Sequence, residues 1–397
     1  MNQFEKKSID YRLRFTYLDG LRGLASLYVV ISHVLLLQWA DLPFFNKFAR
    51  YGIFGVVVFI VLSGYCLMLP VARSKKGHIP GGLLDYLKRR GRRILPPYYA
   101  ALVLCLLLAI LILGVQKVTG KGWSDVGSAN LFSPNFYFLD VLSHLLLIHN
   151  FHSAAPINFN SSLPIYRING PMWTVATEWH IYFLFPVLLL PVWRRFGLLA
   201  VVTTTFLVGI APHYLLHGFI EAAHPWFLGL FAFGMAAADI GFSQKPFLIM
   251  LRKSLPWGVL ATMFAFVALL TEWPLLGLDR WINESFAGIG AACLLIYCTN
   301  FLIDGKVRPT VLRLLEMPSV IALGALSYSL YLVHAPVLVL VHHLLLSLQL
   351  SPIMIAATLL VVAVPMSVLI AYLFHLVFER PFRVHRTCGE VKRFSVT

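Results

Sequence analysis

The sequence predicts an all-α, polytopic membrane helix bundle of about ten transmembrane helices plus one re-entrant or interfacial helix, with both termini cytoplasmic. Three observations predict it. Hydrophobic residues fill 59% of the 397 positions and charged residues only 12%, where soluble domains carry about 25% charged residues. Apolar stretches near the ~20 residues needed to cross a bilayer recur along the whole length, among them LRGLASLYVVISHVLLL and IMIAATLLVVAVPMSVLIAYLF. The basic residues between these stretches fall unevenly, and that asymmetry orients the chain.

Hydropathy places spans at 18–38, 51–71, 94–115, 173–192, 197–217, 224–241, 256–272, 285–303, 318–343 and 353–378. Segments on the side of the termini then carry 25 of the 32 Lys and Arg and the opposite side 6, with Arg22 inside a span. By the positive-inside rule both termini lie in the cytoplasm. Residues 1–17 form a basic cytoplasmic segment, 18–378 the membrane domain and 379–397 a basic cytoplasmic tail. The rule also accounts for the formal charge of +15, so no nucleic-acid partner is expected; the lipid bilayer is the partner. The basic start resembles a signal peptide without a small-residue cleavage site, which reads as a retained first helix.

The stretch 138–149, FLDVLSHLLLIH, is too short to cross. It reads as a re-entrant or interfacial helix within a large outer-face loop, 116–172, that is either an acceptor-binding cap or a plain surface loop. His144, His149 and His152 lack the HExxH spacing of a zinc helix, and Cys66, Cys105, Cys293, Cys298 and Cys388 lack metal-type or disulfide pairing. No metal is expected.

Ionisable groups inside spans are costly in hydrocarbon and mark candidate chemistry. In LDGLRGLASLYVVISHV, Arg22 and His33 lie within about 20° of each other around the helix and about 16.5 Å apart along it. Asp19 and Ser26 share their stripe. Arg22 either looks into an interior channel or snorkels beside Asp19; His33 is a reactive imidazole or one satisfied by a neighbouring helix. The segment KRRGRRILPPYY clusters Lys88, Arg89, Arg90, Arg92 and Arg93 at the third span, as phosphate ligands or as orienting charges on anionic lipid. In WTVATEWHIYF, Thr174, Glu178 and Tyr182 share a face, with Glu178 near the outer boundary as a proton-transfer group or a headgroup contact. Ser327, Tyr331 and His334 line one face of the ninth span, as part of the site or as interhelical hydrogen-bonding groups. His33, Glu178 and His334 are expected at similar depth.

With those residues in place, the chain resembles the acyltransferase-3 family of integral membrane acyltransferases along nearly its whole length. The match rests on LDGLRG with Arg22 and His33 in an Arg-x10-His pattern, on FIVLSG (Phe59 to Gly64, with Ile60 where a second Phe is common), and on RRGRRILPPYY, mapped to Arg90 and Arg93. WTVATEWHIYF is similar to a Trp-x-Leu-x-x-Glu pattern with Val175 in the Leu place; SYSLYLVH and FERP resemble the last two motifs. Each is weak alone; six in order are specific.

The resemblance implies an acyl-CoA donor, acetyl-CoA foremost, bound from the cytoplasm, and an acceptor hydroxyl on the other side. It implies His33 as the essential catalytic residue and Arg22 with the third-helix arginines on the donor, so Arg22, Arg89, Arg90 and Arg93 are the expected donor-binding set. Glu178 or His334 is expected to orient His33, which acts as general base or through an acyl-histidine. The expected acceptor is an envelope carbohydrate or glycoconjugate in the bacterial cytoplasmic (inner) membrane; a small molecule such as an antibiotic is the alternative. Many members carry a fused extracellular esterase-like domain, and the chain ends shortly after FERP, which leaves a separate extracytoplasmic partner as an expectation. A polytopic transporter would also place Arg, Glu and His inward, but no internal repeat supports it.

Overall fold

A computed structural model describes residues 15–37, 48–74, 77–120, 122–123, 131–151, 168–215, 220–305 and 307–382. Most of the N-terminal basic segment, the tail from 383 and much of the 116–172 loop lie outside the described residues. All regular structure among the described residues is helical. The first spans are α1 (Thr16–Leu37), α2 (Ile53–Ala72) and α3 (Gly82–Thr119), followed by the short α4 (Phe138–Leu145). Then come α5 (Met172–Phe196), α6 (Leu198–Leu215), α7 (Phe227–Phe242), α8 (Pro246–Ser254) and α9 (Trp257–Thr271). The chain continues through α10 (Arg280–Asp304), α11 (Thr310–Leu315), α12 (Pro318–Ala325), α13 (Ser327–Leu346) and α14 (Pro352–Phe382).

Among the described residues nine helical spans are long and apolar enough to cross a membrane, α7 counting together with the segment before it as Glu221–Phe242, and ten if α8 and α9 count as one bent span. The chain is a multi-pass membrane protein. Three elements differ from the hydropathy reading. The span drawn at 94–115 begins at Gly82, so the arginine cluster is itself helical. The span drawn at 256–272 is the second half of a pair bent by 72°; Leu255 is extended before Pro256, where a proline ring crowds the preceding residue out of the helical region. The span drawn at 318–343 breaks at Leu326, which leaves helical dihedrals between α12 and α13.

Burial separates central from peripheral helices. In the span Glu221–Phe242, which contains α7, 78% of the most apolar stretch is buried and in α6 only 22%. Along α2 and α7 the backbones approach closely, because a methyl on Gly64 would strike the Phe231 backbone and one on Gly234 the Val61 backbone. Small residues permit such approach where no hydrophobic effect drives helices together. The two glycines of LDGLRG do the same on another side of the bundle: Gly20 meets the Leu315 backbone and Gly23 that of Gly324.

The short helix α4 rises only about 12 Å and does not cross, as its length predicted. Phe138, Leu139 and Leu145 are exposed while Ser143 and His144 are buried, an apolar-out arrangement suited to lipid contact. Tyr98 and Tyr99 of α3 hold it through the carbonyls of His144 and Leu145, each at 2.9 Å. The last two motifs join each other: buried Glu379 of FERP accepts hydrogen bonds from Ser329 of SYSLYLVH at 2.6 Å and from His375 Nδ1 at 2.9 Å. FERP is therefore a clasp between α13 and α14.

Candidate active site

The helical pitch of α1 sets Arg22 and His33 on one side, and packing against α13 decides what His33 meets. Its Nδ1 lies 2.8 Å from His334 Nε2. The two rings are coplanar within 3°, with centroids 5.0 Å apart, as an in-plane N–H···N bond requires. His334 Nδ1 faces the Leu330 carbonyl at 3.0 Å, and a carbonyl can only accept. His334 therefore carries its proton on Nδ1 and accepts on Nε2. With both rings neutral, His33 donates from Nδ1, which leaves Nε2 as its basic atom. The neighbour-helix partner foreseen for His33 exists, and it fixes the tautomer.

From this pair toward the Arg22 end of α1 lies a cavity walled by α1, α2, α3, α5 and α13. Its lining includes Arg22, Phe59, Ser63, Cys66, Arg90, Arg93, Glu178 and Tyr331. The α2 wall runs from Val56 to Cys66, about 15 Å along the helix. Three guanidinium groups face one carboxylate among the lining residues, so the cavity favours an anion.

Arg22 is paired with Asp19 at 3.5 Å and donates to Cys66 Sγ at 3.1 Å, so the Asp19 pairing and the inward aspect read from the sequence hold together. The Arg90 guanidinium carbon lies 5.5 Å from the Tyr182 ring centre, and its buried Nε has no hydrogen-bond partner. A buried donor without a partner is costly unless a ligand supplies an acceptor. Arg93 lines the cavity from its exposed edge. Arg89 does not line it; its guanidinium donates to the Pro80 carbonyl at 2.7 Å, steadying the turn before α3.

Glu178 is in the cavity but not beside the histidines. Ser63 and Tyr182 both donate to its Oε1. One turn nearer the start of α5, Thr174 meets Tyr331, and His334 is three residues beyond that. Glu178 thus lies about 10 Å from His334 along the helix axes by helix rise, which corrects the expectation of similar depth. The reason is the axial offset of α5 against α13, which no single segment encodes. Of the two candidates for orienting His33, His334 is the one in hydrogen-bond contact.

Neither His33 nor His334 lines the cavity. Tyr331 links the two parts: it lines the cavity, and its ring lies 5.8 Å from His334 and 6.0 Å from Phe59. Ser63 as a partner of Glu178 and Tyr328 in the wall were not legible in the sequence, since each depends on a contact between distant helices. His144 and His149 stack on each other at 3.9 Å, away from the cavity lining. Among the described residues no group of three or more His, Cys, Asp or Glu could hold a metal ion.

A family model described as an acyltransferase domain matches residues 15–374. Among curated proteins, the chain is 24% identical over 339 residues to the O-acetyltransferase OatA of Staphylococcus aureus, covering 82% of this chain and 51% of that protein. It is 27% identical over 164 residues to an O-acetyl transferase of Shigella phage Sf6, covering 41% of this chain and 43% of that one. It is also 27% identical over 172 residues to the putative peptidoglycan O-acetyltransferase YrhL of Bacillus subtilis, covering 43% and 23%. The chain spans about half the length of OatA. No solved structure matches.

Proposed function

The chain belongs to the acyltransferase-3 family, and from that premise we propose that it is a membrane O-acyltransferase. It moves an acyl group, acetyl foremost, from acyl-CoA entering at the arginine-rich end to a hydroxyl of an envelope carbohydrate or glycoconjugate at the other. The observation that carries this reading is the arginine-lined cavity that ends, through Tyr331, against a histidine pair of fixed tautomer. The relatives' names, O-acetyltransferase and peptidoglycan O-acetyltransferase, support acetyl as the group and an envelope glycan as the acceptor. The charge asymmetry supports a cytoplasmic donor side and a bacterial cytoplasmic membrane.

Arg90 and Arg93, with Arg22 deeper, hold the phosphates and polar arm of the donor through charge-assisted hydrogen bonds. The thioester reaches the Tyr331 boundary. His33 Nε2 removes the proton from the acceptor hydroxyl as its oxygen bonds to the acyl carbon. As His33 becomes cationic, its Nδ1–H bond to His334 strengthens. Breakage of the C–S bond expels the thiolate, which takes the proton back from Nε2.

Purified protein in lipid nanodiscs, given acetyl-CoA and envelope glycan, tests the reading. Release of free CoA with a matching mass increase of about 42 Da on the glycan is expected. Substrate movement without acyl-CoA consumption would replace the enzyme by a transporter.

A further inference from the structure

Tyr331 stands where the donor cavity meets the histidine pair, and it is 7% exposed. Six hydroxyl side chains line the cavity, and five have their protons committed. Ser63 and Tyr182 donate to Glu178. Ser327 donates to the Gly324 carbonyl at 2.9 Å and Tyr328 to the Ile94 carbonyl at 3.0 Å. Thr174 Oγ1 has two acceptors in reach, the Tyr331 phenol oxygen at 2.6 Å and the Pro171 carbonyl at 3.2 Å, and its proton goes to the nearer. A phenol that accepts a hydrogen bond keeps its own O–H to give, so Tyr331 holds the uncommitted proton.

We propose that Tyr331 is a catalytic residue whose phenol O–H donates to the acyl carbonyl oxygen and stabilises the oxyanion of the tetrahedral intermediate, with Thr174 orienting it. This assignment rests on the acyl-transfer reading. The acceptor oxygen forms its bond to the acyl carbon while its proton passes to His33 Nε2. The carbonyl π pair moves onto oxygen, where the Tyr331 O–H receives the developing charge. Collapse restores C=O, breaks C–S and returns the proton from His33 to the thiolate. Tyr331 remains protonated throughout. A donor fixed before the reaction acts without reorganisation, and in a site shielded from water its effect is larger than in bulk.

Tyr331→Phe keeps the ring that packs on Phe59 and His334 and removes only the hydroxyl. Loss of one preorganised oxyanion donor lowers kcat by about 10²–10³-fold. The expected result is a fall of that size with the KM for acetyl-CoA and the affinity for CoA, measured by calorimetry, within a few-fold of wild type. Thr174→Val, which leaves the phenol but frees its orientation, is expected to lower kcat with the same unchanged KM. Turnover of Tyr331→Phe near wild type, or a loss matched by lost CoA binding, overturns the assignment. Should Tyr331→Phe fail to accumulate, unchanged turnover of Thr174→Val overturns it. A wild-type protein inert toward acetyl-CoA overturns the acyl-transfer reading and this assignment together, whereas an active wild type with an active Tyr331→Phe overturns the assignment alone.

Discussion

His334 presents Nε2 to His33 Nδ1 at 2.8 Å because its own Nδ1 proton is taken by the Leu330 carbonyl one turn back. A backbone carbonyl of α13 thereby determines which nitrogen of a histidine on α1 is basic. The arrangement has the form of a base held in one tautomer by a second group, with a neutral imidazole in the orienting place. His33→Ala is expected to remove acyl transfer, since a general base contributes about 10²–10⁴-fold, while CoA binding persists because neither histidine lines the arginine cavity. His334→Ala is expected to lower kcat in the same assay by less. Near wild-type turnover of purified His33→Ala would show that another group is the base.

Donor capture is expected to depend on α3. Replacing Arg90 and Arg93 together by Gln should weaken CoA binding by about 1.5–3 kcal/mol per charged hydrogen bond lost. Wild-type affinity should fall as salt rises, because exposed charges such as Arg93 are screened. The comparable Arg89→Gln change is expected to have the smaller effect, its guanidinium being spent on Pro80. Calorimetry with CoA measures all three, and equal affinity in the double variant would assign these arginines to topology alone.

Stability is expected to respond to the FERP clasp. Glu379→Ala leaves Ser329 and His375 facing a gap in place of their acceptor, at about 1–3 kcal/mol for each buried group left unsatisfied. The thermal midpoint in detergent should drop while residual folded protein still binds CoA. An unchanged midpoint would mean that water replaces the carboxylate without loss.

The transfer is expected to be vectorial. Arg90 and Arg93 open toward the end with most Lys and Arg, and His33 lies about 16.5 Å beyond Arg22 toward the other end by helix rise. In sealed vesicles of known orientation, acetyl-CoA supplied only on the side of the termini should acetylate an acceptor enclosed on the opposite side. Activity that requires both substrates on the terminal side would sink the transmembrane route while leaving the enzyme class intact.

What the sequence determined by itself follows from local physics. In hydrocarbon a segment must satisfy its own backbone hydrogen bonds, so a long apolar run becomes a helix whatever surrounds it. The all-α class, most of the spans and the failure of 138–149 to cross were therefore legible. So was the shared stripe of Arg22 and His33, because helical pitch is constant. Ordered motifs pointed to Arg90, Arg93, Glu178 and His334 one at a time. The tertiary structure decided which of these meet. Gly23 lies against Gly324 and Gly64 against α7, and these close approaches set the axial offsets between helices far apart in sequence. Those offsets bring His334 to His33, leave Glu178 with Ser63 and Tyr182 a turn and more away, and turn Arg89 outward to Pro80. Hydropathy averages over a window and reports neither rotation nor offset between neighbours, which is also why it read through the break at Leu326.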